Sequence, residues 1–247
     1  SQLLKFYHHL TDEGRLIINW YFFKGSNNEF PFHHDDVEII DSFFKTLQSH
    51  PNKVKQFVAA SAVGIYPDDL TAIYNEDDLK IDDSFLGEVT QLWEESTNLF
   101  KSLPLLVTTI RIGVVLAKVS GALVEMTKPI KFGFGAALAS GKQYVSWIHI
   151  DDLVAIFKYV IDHNLEGIYN AVSPYPTTNE VLTKAIAKTI HKPLFLPNVP
   201  KFILRLLLGE MHQIVTSSQH VSSRKILDSG FQFQYASLSK SLQNLLK

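Results

Sequence analysis

The chain has 247 residues, 46% hydrophobic and 19% charged, which suits one α/β domain with an appendage or two small lobes and argues against extended disorder. A formal net charge of -2 without a Lys/Arg run weighs against a nucleic-acid binder, which needs a basic face for phosphates. The absence of cysteine excludes disulfides, thiolate zinc sites and a cysteine nucleophile.

Residues 15–23 (RLIINWYFF) form a short apolar run that predicts a buried strand, followed by a loop. Val37, Ile40, Phe43, Phe44 and Leu47 fall at helical spacing, and His50-Pro51 ends that helix. Residues 55–60 predict the next strand and residues 68–83, rich in Asp, a surface loop. A long helix is predicted over 85–101, with Phe85, Val89, Leu92, Trp93 and Leu99 as its apolar side. Residues 105–116 (LLVTTIRIGVVL) are too continuously apolar for a strand with one wet face, so a parallel sheet covered on both sides is expected. Residues 144–150 predict a strand, with Asp151 and Asp152 capping a helix to Ile161. Residues 167–172 predict another strand, and Thr178 or Asn179 a cap for the helix that runs to Ile190. A Pro-bounded segment, a Leu-rich helix and an amphipathic helix complete the chain.

Alternating strands and helices predict an α/β fold, a doubly wound parallel sheet with its ligand at the carboxyl ends of the strands. The expected division is a domain over residues 1–190 and a C-terminal lobe over 191–247. No apolar stretch of about 18 residues occurs, so no membrane span is expected. The start SQLLKFYHHL lacks signal-peptide architecture, and a cytoplasmic location is the expectation.

Ser61, Gly64 and Tyr66, and also Arg111 and Gly113, fall where strands end. A serine there can hydrogen-bond a carbonyl, and a tyrosine can exchange a proton with an alcohol or ketone. The alternative is that Ser61 merely ends the strand and Tyr66 packs beneath the loop. Arg111 could hold a phosphate or carboxylate, or pair with an Asp. Trp147, His149, Asp151 and Asp152 cluster at another strand end; they either support a substrate pocket or are a packed tryptophan and a helix cap. Lys142, in ASGKQ, could touch an anionic substrate or be solvated, and the full phosphate-loop pattern is absent. No metal is expected, because His149 has no partner at ligand spacing and His33-His34-Asp35-Asp36 lies in a loop.

Read in order, SAVGIYP, SFLGEVTQLWEE, RIGVVLA, GFGAALASGKQYVSWIHIDDL and GIYNAVSPYP resemble the epimerase-family branch (NAD-dependent epimerase/dehydratase-like) of the extended short-chain dehydrogenase/reductases. SWIHIDDL and YNAVSPYP carry most of the resemblance. The tail, KPLFLPNVPKFILRLLLGEM with SSRKILDSGFQFQYASLSKSL, resembles the branch's C-terminal extension. The likeness covers about residues 37–247. It implies a Rossmann-type fold and an NAD(P)-dependent nucleotide-sugar epimerase or oxidoreductase, using NADP or NAD on a sugar-like small molecule. It also implies Ser61 and Tyr66 as catalytic, Asn19, Ala60, Arg111 and Gly113 as cofactor-binding, and Lys142, Trp147 and His149 as substrate-binding.

The sequence departs from this pattern in two places. No strand and G-x-x-G-x-x-G turn precedes Arg15, so the sheet is expected to lack about three leading strands and these residues to bind the dinucleotide weakly. Trp20, Tyr21 and Phe22 stand where the branch has Leu-Ala-Gly, and Phe43 where it has Arg. The helix from Phe85 to Thr90 has no Y-x-x-x-K pair, which leaves a catalytically inactive binding or regulatory protein as the alternative function. The strand at residues 15–23 would expose an unpaired apolar edge, so it is expected to be covered by residues 1–14 or by a second copy in a homodimer.

Overall fold

A computed structural model describes residues 7–10, 15–19, 34–209 and 212–247, with side chains described from Ile40 onward. The expectations on Trp20, Tyr21, Phe22, His33 and the Asn19 side chain lie outside the described residues. The chain opens with β1 (Tyr7–Leu10), β2 (Arg15–Asn19), α1 (His34–Ser49), β3 (Gln56–Ala62) and β4 (Ile73–Tyr74). Next come α2 (Phe85–Asn98), β5 (Leu106–Ile112), β6 (Val114–Leu116), α3 (Ala122–Lys131), β7 (Tyr144–Val145), β8 (Trp147–His149) and α4 (Ile150–Asp162). The remainder is β9 (Gly167–Ala171), β10 (Thr177–Thr178), α5 (Asn179–Thr189), α6 (Lys201–Leu208), α7 (His212–Thr216), β11 (His220–Val221), α8 (Arg224–Asp228) and α9 (Leu238–Leu246).

Two compact units interleave along the chain. One comprises Ser1–Ile65, Ile81–Arg111 and Phe157–Tyr169, the other Tyr66–Lys80, Ile112–Ile156 and Asn170–Lys247.

The main sheet has the order β1-β2-β3-β5-β9. β2 runs parallel to β3, and the strands fall where the apolar runs predicted them. β1 lies antiparallel on β2, Tyr7 opposite Asn19 and Leu10 opposite Leu16. The outer edge of β2 is thus covered by the chain's own residues, the first of the two covers expected. Alternation along β3 and β5 sorts their side chains onto two faces. Phe57, Ala59 and Val107 pack with Ile40 of α1 and with Phe100, and the Phe57 and Phe100 rings stack at 3.9 Å. On the opposite face Gln56 Nε2 donates to the carbonyls of Val160 and Leu165, and Thr108 Oγ1 to that of Leu165. The C-terminal end of α4 therefore covers this side.

The second unit is built on a core of Leu116, Leu123, Ile130, Trp147, Leu182, Ile186, Leu242 and Leu245. The strand predicted over 105–116 breaks at Gly113, between β5 and β6. There the Gly113 N–H reaches the Ala171 carbonyl at 3.1 Å and the Val114 N–H the Ser146 carbonyl at 2.8 Å. A Cβ at 113 would stand 2.2 Å from the Ser146 oxygen and 2.8 Å from Val172 Cγ1, so only glycine permits this approach. Thr178 caps α5 as expected, accepting from the Val181 N–H. The cap predicted at Asp151-Asp152 is different: Asp152 is buried and accepts from the backbone N–H groups of Gln234 and Tyr235, at 2.8 and 2.9 Å. A buried carboxylate with two charge-assisted bonds fastens the C-terminal segment to α4 rather than ending the helix.

Gly113→Ala is expected to lower stability by about 3 kcal/mol, because the Ser146 carbonyl is fixed in a backbone hydrogen bond and cannot yield. Urea unfolding measures this, and an unchanged midpoint would show that the close approach is not obligatory.

Candidate functional site

Ser61 and Arg111 stand on the face of β3 and β5 that carries Phe57, Ala59 and Val107, near the carboxyl ends of both strands. Both are buried, and both meet a residue of α2. Ser61 Oγ donates to Glu94 Oε1 at 2.7 Å. Arg111 grips the same carboxylate with two parallel bonds, Nε to Oε1 and Nη2 to Oε2, each 2.8 Å. The pair is nearly dry, with side chains 7% and 10% exposed. Bidentate geometry is the strongest form of this contact, and at this burial each charge depends on the other. The single Ser61 proton points at Glu94, so the remaining Ser61 lone pairs are placed to accept from a donor such as an alcohol.

Glu94 escapes a reading based on hydrophobic periodicity. Phe85, Leu92 and Leu99, predicted on the buried side, are 49%, 45% and 43% exposed. Trp93 is buried as expected, and the helix otherwise buries Gly87, Thr90, Glu94, Ser96 and Thr97. Gly87 is needed because a Cβ there would lie 2.0 Å from the Asp82 carbonyl oxygen. Thr90 returns its hydroxyl to the Leu86 carbonyl at 2.7 Å. The residues at 87, 90, 94 and 97 follow the spacing of one helical face, but are small or polar. The available signal was a Glu on that face and an Arg at a strand end.

The second unit gives the other expected residues different partners. Tyr66 is fully buried, stacked on Tyr74 at 5.2 Å, and its hydroxyl donates to Asn170 Oδ1 at 2.9 Å. Asn170 also donates through Nδ2 to the Ser222 carbonyl and through its backbone N–H to Glu76. Tyr66 thus joins a buried hydrogen-bonded network with Asn170, Ser222 and Glu76. Trp147 is wholly inside the core and donates from Nε1 to the Tyr175 carbonyl at 3.1 Å. His149 is buried and stacked on Tyr235 at 3.8 Å. Its Nδ1 accepts from the Asp151 N–H and its Nε2 faces Asn244 Oδ1, each at 3.1 Å, which sets the proton on Nε2. Both side chains are buried in packed surroundings. Gly113 faces the Ser146 carbonyl, and Arg111 pairs with the Glu94 carboxylate. Ala60 is buried in β3, and Asn19 closes β2. Lys142 is exposed beyond the turn at Gly141, where φ is 72°. Among the described residues no group of three or more His, Asp or Glu side chains could hold a metal.

A main sheet of this order, with parallel β2 and β3 and helices on both faces, defines a Rossmann-type α/β protein. Residues 199–245 match the family described as "Domain of unknown function (DUF1731)". Epimerase family protein SERP0438 of Staphylococcus epidermidis is 34% identical over 212 residues, 85% of this chain and 71% of that protein. The crystal structure of human epimerase family protein SDR39U1 (isoform 2) with NADPH superposes with a TM-score of 0.79 at 26% identity, covering 85% of this chain and 71% of that one. A nucleoside-diphosphate sugar epimerase from Corynebacterium glutamicum gives a TM-score of 0.66 at 25% identity, covering 87% and 45%. The chain belongs to the epimerase family.

Glu94→Ala is expected to destabilise the protein by about 3–5 kcal/mol, because it removes the carboxylate that Arg111 holds with two bonds in a nearly dry setting. Ser61→Ala removes one hydrogen bond to a charged group and is expected to lower stability by about 1.5–3 kcal/mol. Denaturant unfolding of both variants checks the order, and a Glu94→Ala loss smaller than that of Ser61→Ala would contradict it.

Proposed function

We propose that the protein is an NAD(P)-dependent oxidoreductase or epimerase of the nucleotide-sugar type, acting on the hydroxyl-bearing carbon of a sugar-like substrate. The observation that carries this reading is the Ser61 hydroxyl, held near the carboxyl end of β3 by Glu94, itself locked by Arg111. In sheets of this class that end of the strands is where ligands bind. Ser61 meets the substrate oxygen: it accepts a hydrogen bond from an alcohol while its own O–H goes on donating to Glu94. Glu94 is a positioning residue, since it fixes the serine rotamer from behind.

The residues fit the nicotinamide end of NADP or NAD better than its pyrophosphate. Ala59, Ala60, Ser61 and Ala62 present only small side chains along the end of β3, which lets a flat ring approach the backbone. Ala60, with Asn19 at the end of β2, is proposed to border it. When bound, the nicotinamide supplies the hydride acceptor. The sequence contains no G-x-x-G-x-x-G turn to cradle the phosphates, and the Arg111 charge is already matched by Glu94. Lys142, exposed beside the Gly141 turn, is proposed to meet an anionic substrate group. A cytoplasmic location remains part of the proposal.

Calorimetric titration with NADPH and NADH tests the reading. The 247-residue chain is expected to bind neither in the micromolar range. A fusion carrying the leading segment of the Staphylococcus epidermidis relative ahead of residue 15 is expected to bind at least one of them there. In that fusion, Ser61→Ala is expected to lower turnover about 10²-fold while dinucleotide binding persists. A folded fusion that binds neither dinucleotide would instead favour a binding protein without redox chemistry.

A further inference from the structure

Tyr144 and His220 meet at a junction of the second unit that main-chain hydrogen bonds hold in place. Tyr144 lies in β7 opposite Thr178 of β10, and His220 in β11 opposite Ile73 of β4. The Tyr144 N–H donates to Ser218 Oγ at 3.1 Å, and the Tyr144 carbonyl accepts from the Gln219 N–H at 3.3 Å. Ser146 Oγ donates to the Gln219 carbonyl at 2.7 Å and accepts from the Val221 N–H at 2.9 Å. With both backbones held, the two rings stack at 4.4 Å with 21° between their planes. Both side chains are half-buried, yet their polar atoms are unused. Among the described residues neither the Tyr144 hydroxyl nor a ring nitrogen of His220 has a hydrogen-bond partner.

The fold uses these rings but not their polar ends, since a phenylalanine at either position would keep the stack. Partial burial holds the His220 imidazole below the usual histidine range, so at pH 7 it is neutral and offers one donor and one acceptor. The Tyr144 hydroxyl offers a further donor and acceptor. Two fixed, neutral groups that each give and take a hydrogen bond complement the hydroxyls of a sugar, which do the same. An apolar ligand would strand the polar ends, and an anion would meet their lone pairs as well as their protons. Lys142, two residues before Tyr144, is exposed. Gln143 between them is turned inward, with Nε2 on the carbonyls of Leu138 and Val215 at 3.0 and 3.1 Å.

We propose that Tyr144 and His220 hold the sugar hydroxyls of a nucleotide-sugar substrate. This rests on the nucleotide-sugar reading above and adds to it the residues that recognise the sugar. Tyr144, His220 and Lys142 all belong to the second unit, so the leading segment that the dinucleotide requires is not needed for this contact. Saturation-transfer NMR on the 247-residue chain, with UDP-glucose and UDP-N-acetylglucosamine as probes, tests it. At least one probe is expected to bind, with saturation reaching its sugar protons. Tyr144→Phe and His220→Phe are each expected to weaken that binding by about tenfold, the effect of losing a hydrogen bond, while UDP binding and the urea midpoint stay unchanged. No binding of either probe, or binding that both substitutions leave intact, would overturn the proposal. So would a fall in the midpoint of both variants, which would assign the polar ends to folding. The wider reading is tested separately: NADPH binding by the fusion, together with sugar-nucleotide binding lost in Lys142→Met but kept in both Phe variants, would remove Tyr144 and His220 and leave that reading standing.

Discussion

A single carboxylate, that of Glu94, ties α2 to the carboxyl ends of β3 and β5. It accepts from Ser61 and from both arms of Arg111 in a nearly dry setting. Desolvating two charges costs several kcal/mol each, and the bidentate bonds return that energy only in this geometry. The arrangement therefore contributes less to net stability than to uniqueness: α2 can neither rotate nor slide without breaking the two bonds between Glu94 and Arg111. That constraint explains why α2 buries a glycine and two threonines while leaving Phe85, Leu92 and Leu99 exposed. It also holds the serine hydroxyl in one orientation.

The second unit uses buried polar groups in the same manner. Asn170 gathers Tyr66, Ser222 and Glu76, and Asp152 holds the backbone at Gln234 and Tyr235. Each is a satisfied buried group joining segments distant in sequence, so each specifies a register that apolar packing alone would leave loose. Gln56 differs, since its Oε1 is buried without a hydrogen-bond partner, although its Nε2 reaches two carbonyls. This atom lies at the start of β3, at the opposite end of the strand from Ser61.

Much of the fold could be read from residue patterns because strands and helices differ in apolar period. The runs at 15–19, 56–62, 106–112 and 167–171 are β-branched or alanine-rich and bounded by breakers, and the motifs from SAVGIYP to YNAVSPYP carried the family. What could not be read depended on contacts between distant residues. Glu94 sits on a face without hydrophobic signal, and its partner Arg111 is 17 residues away. Asp152 resembles a helix cap until Gln234 and Tyr235 arrive at its oxygens. Tyr66 looks like a proton donor by its place after a strand, and its burial and bond to Asn170 depend on a residue 104 positions away. Gly113 looks like a strand-end glycine, but the Ser146 carbonyl is what requires it.

The claim that Glu94 and Arg111 act as one unit is tested most directly by a double-mutant cycle on unfolding free energy, with Glu94→Gln, Arg111→Met and the pair together. The account predicts strong coupling, about 2–3 kcal/mol, with the double variant less destabilised than the sum of the singles. Additivity within about 0.5 kcal/mol would contradict it.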